Sequence, residues 1–254
     1  MDGPIKWGHD GRLGILNSNP RRIYPFMKAA IVLFPGTNRE VDMKDALERS
    51  GATTEMVWHG DAEVPACDLI VLPGGFAYGD YLRCGAMAAH SPIMRDVIAK
   101  AKAGTPTLGV CNGFQTLIET GLLPGALLKN ASLAFVCRDV HLRLEHAHAP
   151  LTGALKAGEV IRVPVAHGDG NYFADDEMLK RLEGEGRIAF RYVAGPGEPE
   201  ARANPNGSTA DIAGIVNAEG NVLGMMPHPE DATGPRQQSL DAVPLFQGIV
   251  EGLS

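Results

Sequence analysis

The chain has 254 residues, of which 44% are hydrophobic, and a formal net charge of −7. This length fits one large α/β domain, and an acidic balance without a cluster of Lys and Arg argues against a nucleic-acid partner. No apolar run approaches the roughly 18–20 residues of a membrane span. The four cysteines match neither a zinc-ligand pattern nor a disulfide framework, which favours a reducing, cytoplasmic setting; they are Cys67, Cys84, Cys111 and Cys137.

Residues 1–26 differ in composition from the rest of the chain. They are rich in Gly, Asn, Pro and Arg and lack the apolar segment of a secretory signal. A predicted strand begins directly after Met27. We therefore expect residues 1–26 to form a loosely attached tail, disordered or not native to the working protein, and residues 27–254 to form one functional domain.

From Met27 onward, short apolar strands alternate with amphipathic helices. Near-continuous aliphatic strands are typical of a parallel sheet that is buried on both faces. A helix predicted over 91–103 has Ser91 as a candidate N-cap and Pro92 in its first turn. The strands of this half are predicted at 28–34, 53–58, 67–72 and 107–110. The pattern predicts a doubly wound sheet whose site lies at the carboxyl ends of its strands.

The second half alternates apolar and polar residues more strictly, which favours antiparallel or edge strands. Two apolar runs around Ala218-Glu219-Gly220 predict a hairpin. Cys67 and Cys137 lie in apolar runs and are expected to be buried. Strands are predicted at 133–145, 159–166, 187–192, 212–217 and 221–226, and a last helix at 241–252. The predicted fold class is thus α/β, a mostly parallel sheet flanked by helices with added antiparallel strands.

Cys111 is the candidate nucleophile. It lies between Gly109 and Gly113, after an apolar strand and before a helical pattern, which is the nucleophile-elbow arrangement G-x-S-x-G with sulfur in place of oxygen. Such a sharp strand-to-helix turn strains the backbone of the nucleophile and leaves no room for bulky neighbours. The helix dipole and the free N–H groups at the helix start favour a thiolate there. The pattern predicts an enzyme.

A thiol nucleophile needs a base, and the base needs a residue that orients it. His228-Pro229-Glu230 follows an apolar strand. Pro229 favours an extended conformation at His228, in which side chains two residues apart face the same way. We therefore expect Glu230 to hold one ring nitrogen of His228 and leave the other for Cys111.

Acyl transfer also needs donors for a developing oxyanion. Pro73-Gly74-Gly75-Phe76 ends the strand that neighbours the nucleophile strand in a doubly wound order. Its glycines allow close approach of the backbone. The N–H of Gly75 or Phe76 and the N–H of Asn112, directly after the nucleophile, are the candidate donors.

Together these motifs resemble the class I (triad) glutamine amidotransferase family, which has a flavodoxin-like fold. Three further stretches are similar to the glutaminase subunits of phosphoribosylformylglycinamidine synthase; they are FPGTN at 34–38, GFAYGDYLRCG at 75–85 and PVAHGDG at 164–170. The resemblance covers residues 27–254 as one amidotransferase domain. Asp169 departs from the family, which more often has glutamate at this position.

The resemblance implies that the Cys111 thiolate attacks the carboxamide of glutamine and that His228, oriented by Glu230, protonates the departing ammonia and then activates water. It places Gly75, Phe76 and Asn112 near the oxyanion and Gln115 in the glutamine pocket. It also implies a large synthetase subunit and a small third subunit as partners. ATP and Mg would be used by the synthetase to make formylglycinamidine ribonucleotide from formylglycinamide ribonucleotide in purine biosynthesis, with no cofactor in this chain, which has no Walker-type phosphate loop.

Three alternatives remain open from the residues alone. A peptidase-like or glyoxalase-like cysteine hydrolase of the same fold is one, although such enzymes usually place histidine directly after the cysteine, where Asn112 stands. A non-catalytic module that binds glutamine or a partner is the second. The third is a metal site at His141, Glu145, His146 and His148, but histidines on the exposed face of a strand explain that spacing, and we expect no metal.

Overall fold

The computed structural model describes residues 27–81, 83–235 and 237–254. The tail predicted over residues 1–26 lies outside the described residues. A nine-stranded sheet runs through the domain in the order β2-β1-β3-β4-β11-β10-β9-β6-β7, and β5 pairs with β8 in a separate two-stranded sheet. The strands are β1 (Lys28–Leu33), β2 (Thr53–Trp58), β3 (Leu69–Leu72), β4 (Thr107–Val110), β5 (Ala126–Leu128), β6 (Val136–Leu144), β7 (Val160–His167), β8 (Asn171–Phe173), β9 (Ile188–Val193), β10 (Ile212–Val216) and β11 (Val222–Met225).

Strands β2, β1, β3, β4 and β11 are mutually parallel. All four residues of β3 and of β4 are buried, because helices cover this part of the sheet. Helix α4 packs on β3, β4 and β11 with α2 beside it, whereas α1 packs against β1, β2 and α6. The helices are α1 (Glu40–Arg49), α2 (Ala86–Ala89), α3 (Met94–Lys102), α4 (Asn112–Glu119), α5 (Asp176–Gly184) and α6 (Val243–Leu253). The doubly wound α/β prediction is confirmed.

The other half of the large sheet is antiparallel, as the alternation predicted. Strands β10 and β11 form the predicted hairpin, and β10, β9, β6 and β7 continue the sheet in antiparallel pairs. Strand β7 lies at the edge, where Pro164 is tolerated although it has no N–H for the ladder. The Pro164 carbonyl accepts a hydrogen bond from the backbone N–H of His228 (2.9 Å). The edge strand β7 therefore contacts the segment that follows the carboxyl end of the parallel strand β11.

Some local predictions were wrong. The helix predicted over 91–103 begins at Met94, because Ser91 and Pro92 form a turn and the Ser91 hydroxyl contacts the hydroxyl of Tyr78 (2.9 Å) instead of capping the helix. Cys137 is exposed and Cys67 only half-buried. Cys137 lies on β6, whose side chains alternate between the core and solvent, so an apolar run there does not imply burial.

No helix among the described residues is long and apolar enough to span a membrane.

Candidate active site

Cys111 occupies a strained turn between β4 and α4. Its backbone angles are φ 50° and ψ −106°, in a region that residues with a side chain rarely adopt. Its N–H donates to the carbonyl of Met225 on the neighbouring strand β11 (2.8 Å). The flanking glycines make this turn possible: a Cβ on Gly109 would lie 2.8 Å from the Gly113 backbone, and a Cβ on Gly113 would lie 1.9 Å from the Leu72 carbonyl oxygen. The predicted elbow is present.

His228 and Glu230 are brought together by a short 3-10 turn over Pro229–Ala232. The Nδ1 atom of His228 lies 2.7 Å from Oε1 of Glu230, and both side chains are almost fully buried. The expected contact is present, but the expected extended chain is wrong, because the chain turns immediately after His228. The Nε2 atom of His228 has no hydrogen-bond partner among the described residues, and His228 and Cys111 line one cavity.

The electrostatics of His228 suit an acid and base in catalysis. Burial by itself lowers the pKa of His228, but the charges of Glu230 and of the Cys111 sulfur outweigh it and hold the pKa well above the usual 6.5. The raised pKa favours the protonated imidazole, which is the form that can donate a proton to a leaving group.

The loop after β3 approaches the nucleophile as expected, and one of its two candidate donors, the N–H of Phe76, is already occupied. A Cβ on Gly74 would lie 2.7 Å from the His228 ring, and a Cβ on Gly75 would lie 2.7 Å from the Gly36 carbonyl, so both positions need glycine. The N–H of Phe76 donates to that same Gly36 carbonyl (2.9 Å) and is not free for an oxyanion. The N–H groups of Gly75 and Asn112 donate to none of the described residues.

The side chains of Asn112 and Gln115 connect the nucleophile helix to two loops. Asn112 Oδ1 accepts from the N–H of Ala77 (3.2 Å), and Asn112 Nδ2 donates to Gln115 Oε1 (2.8 Å) and to Asp80 Oδ1 (3.3 Å). Gln115 Nε2 donates to the carbonyl of Asp169 (2.7 Å). Gln115 thus lies in the expected cavity, where its amide fixes the loop after β7.

A cavity of about 170 Å³ opens beside the Cys111 sulfur. Its lining contains four of the expected residues, Gly75, Phe76, Cys111 and Gln115, but not Asn112. It also contains several residues that the sequence reasoning did not single out. The lining residues are Gly75, Phe76, Asp80, Cys84, Cys111, Gln115, Phe135, Ala166, His167, Gly168 and Asp169. Asp80 and Cys84 belong to the quoted 75–85 motif, which was a usable signal, whereas no local pattern marked Phe135.

Two groups beside the triad are also perturbed by burial. Burial, with a smaller effect of the nearby His228 cation, lowers the pKa of His167 to about 4. Burial and the charge of Glu230 raise the pKa of Asp231 to about 6 although Arg39 lies 3.3 Å away. His167 and Asp231 are therefore coupled electrostatically to the His228–Glu230 pair. The hydrogen-bond partner of His228 Nδ1 is still Glu230.

Among residues 27–81, 83–235 and 237–254, one group of side chains lies close enough to hold a metal ion, namely His228, Glu230 and Asp231. The Arg39 guanidinium already pairs with Asp231 at this place, which disfavours a second cation. The histidines considered above are engaged elsewhere: His141 faces Glu198 (3.7 Å), and His148 Nε2 contacts the Gly186 carbonyl (2.9 Å).

Comparisons with known proteins agree with this geometry. Residues 27–243 match the CobB/CobQ-like glutamine amidotransferase domain family. The phosphoribosylformylglycinamidine synthase subunit PurQ of Rhodopseudomonas palustris (strain BisB18) is 56% identical over 230 residues, which are 90% of this chain and 99% of that protein. PurQ of Rhodospirillum rubrum is 57% identical over 230 residues, 90% and 100% of the two chains. A chain in the solved structure of PurLQS from Thermotoga maritima is 41% identical with a TM-score of 0.79, covering 90% of this chain and 100% of that one. The chain therefore belongs to the PurQ family of glutamine amidotransferases, the glutaminase subunits of phosphoribosylformylglycinamidine synthase.

Proposed function

We propose that this chain hydrolyses L-glutamine to L-glutamate through a thioester at Cys111 and passes the released ammonia to a synthetase subunit. The observation that carries the proposal is the shared cavity of Cys111 and His228, in which Glu230 holds Nδ1 of the imidazole at 2.7 Å and leaves Nε2 for the sulfur. This is the arrangement that a nucleophile, a base and an orienting carboxylate require.

In the proposed reaction the Cys111 thiolate attacks the side-chain carbonyl carbon of glutamine. The N–H groups of Gly75 and Asn112 stabilise the oxyanion of the tetrahedral intermediate. The His228 imidazolium gives its proton to the leaving nitrogen, and ammonia departs as the thioester forms. The neutral imidazole then takes a proton from water, and the resulting hydroxide cleaves the thioester to glutamate and restores the thiolate–imidazolium pair. Phe76 and Gln115 shape the substrate pocket.

The partners belong to the same proposal. The relatives are synthase subunits, and the Thermotoga structure is that of PurLQS. We place the consumption of ammonia in a large synthetase subunit, where ATP and Mg activate formylglycinamide ribonucleotide, and we include a small third subunit in the complex. The proposed setting is the cytoplasm.

The proposal is tested with the full chain reconstituted with its synthetase partner. Cys111→Ala should abolish synthesis of formylglycinamidine ribonucleotide from glutamine while synthesis from added ammonium salt continues. Cys137→Ala is the matched control, because this cysteine is exposed and outside the cavity, and it should retain both activities. Synthesis from glutamine by the Cys111→Ala variant would refute the assignment of the nucleophile.

A further inference from the structure

The Tyr78 turn (Ala77–Asp80) follows Gly75 and Phe76 and has a strained backbone. Three consecutive residues have left-handed angles: φ is 55° at Tyr78, 74° at Gly79 and 53° at Asp80. Glycine adopts this region freely, but residues with a side chain rarely do so, and hardly ever in succession. Such a conformation persists only where surrounding contacts hold it, and strained segments cluster at functional sites.

The Tyr78 turn holds the residue that follows the nucleophile. The N–H of Ala77 donates to Oδ1 of Asn112 (3.2 Å), and Nδ2 of Asn112 donates to Oδ1 of Asp80 (3.3 Å). Both ends of the turn thus bind one buried side chain at the start of α4. Because the N–H of Asn112 is a proposed oxyanion donor, the turn helps to set the position of that donor.

Tyr78 fastens the turn to the rest of the domain through its hydroxyl group. The hydroxyl oxygen lies 2.8 Å from Nδ1 of His59 and 2.9 Å from Oγ of Ser91. A phenol hydroxyl can donate to one of these atoms and accept from the other. The rings of His59 and Tyr78 also meet edge to face, with their centroids 5.5 Å apart.

The two partners of the hydroxyl are themselves held by backbone hydrogen bonds. The N–H of His59 donates to the Leu33 carbonyl at the end of β1 (2.9 Å), and the His59 carbonyl accepts from the N–H of Ile93 (3.2 Å). Ser91 is buried, and its carbonyl accepts from the N–H of Met94 at the start of α3 (3.0 Å). The hydroxyl is therefore tied, through two side chains, to β1 and α3.

We infer that Tyr78 is a positioning residue for the glutaminase reaction: its hydroxyl holds the strained turn against Asn112 and so aligns the oxyanion donors. The inference rests on the proposed function, because it takes the N–H groups of Gly75 and Asn112 as those donors. Without the hydroxyl, the turn relaxes towards ordinary backbone angles and its hydrogen bonds to Asn112 weaken. The donors then shift relative to an oxyanion that develops only as the thiolate attacks, so the loss should fall on kcat and leave KM nearly unchanged.

The test deletes the hydroxyl with Tyr78→Phe, which keeps the ring, and assays the full chain with its synthetase partner. We expect kcat for glutamine to fall about tenfold, the size expected from losing hydrogen bonds between uncharged groups, and KM to change by less than about threefold. Synthesis from added ammonium salt should be unchanged.

Tyr172→Phe is the matched control for a purely structural hydroxyl. The Tyr172 hydroxyl donates to the Pro124 carbonyl (3.0 Å) and lies outside both cavities lined by Cys111. Its loss should lower the stability of the fold in urea unfolding and leave kcat unchanged. If Tyr78→Phe behaves in the same way, with lower stability and wild-type kcat, the inference is overturned.

A double-mutant cycle tests the route through Asn112. Asn112→Ala keeps the backbone N–H but removes the side chain that binds the turn. If Tyr78 acts through this side chain, the double variant should lose no more kcat than Asn112→Ala alone, whereas independent roles would multiply the two losses. Multiplied losses would overturn the inference.

A second readout does not depend on turnover. The N–H groups of Ala77, Tyr78 and Gly79 are all hydrogen-bonded. Tyr78→Phe should speed their hydrogen–deuterium exchange about tenfold, whereas Tyr172→Phe should not. Unchanged exchange in Tyr78→Phe would overturn the inference. A wild-type complex that releases no glutamate from glutamine would instead overturn the proposed function, and the exchange rates would still decide whether Tyr78 holds the turn.

Discussion

The contact between α4 and β3 gives the sharpest prediction, the substitution Gly113→Ala. Gly113 lies in the first turn of α4, and a Cβ there would sit 1.9 Å from the Leu72 carbonyl oxygen, a backbone atom of β3 that cannot rotate away. Ordinary van der Waals contact begins near 3.4 Å, so the start of α4 must move by about 1.5 Å. Alanine favours a helix over glycine by about 1 kcal/mol, whereas overpacking a buried contact costs about 1–3 kcal/mol. The cost of the clash exceeds the gain in helix propensity, and we expect the free energy of unfolding to fall by up to about 2 kcal/mol.

The effect on activity should exceed the effect on stability. Moving the start of α4 displaces Cys111 and the N–H of Asn112, and a displacement of about 1 Å in an active site costs on the order of a hundredfold in rate. We expect kcat for glutamine hydrolysis to fall by about that factor in a protein that remains folded. Gly184→Ala is the control, since Gly184 ends α5 with open space around its Cα. Urea unfolding and glutamate release would measure both variants. A Gly113→Ala protein with wild-type activity would refute the argument that tight packing holds the elbow.

Two further predictions concern pH. Glu230→Gln removes the charge that raises the pKa of His228; we expect kcat to fall about a hundredfold or more and the basic limb of its pH profile to move to lower pH, and an unmoved limb would contradict the stated cause. The folded-state pKa of His167 (about 4) lies below its ordinary 6.5, so the unfolded chain binds more protons between these values and stability should fall by about 3 kcal/mol as pH drops from 6.5 to 4. His167→Gln should flatten that slope in urea unfolding measured across this range, and an unchanged slope would assign it to other groups.

The sequence was sufficient for those parts of the site that depend on neighbours along the chain. The glycines at 109 and 113 indicated the elbow because the turn leaves no room for side chains: a Cβ on Gly109 would lie 2.8 Å from the Gly113 backbone. The apolar runs predicted the parallel strands correctly. Both faces of this part of the sheet are covered, so nearly every residue of these strands is apolar. His228 and Glu230 were paired correctly because two residues of separation allow contact in an extended chain and also in a 3-10 turn, although the conformation itself was mistaken.

The remaining features depend on contacts between distant segments. The N–H of Phe76 is occupied by Gly36, forty residues earlier, through the bridge between Thr37 and Gly75. The loop after β7 forms the second wall of the cavity. It contacts Gln115 because β7, at the edge of the sheet, ends beside the site. No periodicity of a single segment contains such information, and Asp80, Phe135 and Asp169 were therefore not identified as cavity residues beforehand.

Backbone hydrogen bonds, more than side chains, set the distance between nucleophile and base. Strands β4 and β11 pair with Val110 opposite Met225, so Cys111 and the segment that leads to His228 leave the sheet side by side. The N–H of Cys111 is held by β11 and the N–H of His228 by Pro164 of β7, and the Ala166 carbonyl lies 3.9 Å from the Cys111 sulfur. Because these bonds survive replacement of the reactive side chains, Cys111→Ala should lose chemistry while the fold and the docking of the synthetase persist. Added ammonia should therefore rescue that variant, because only the reactive sulfur is lost and the backbone that holds the fold is kept.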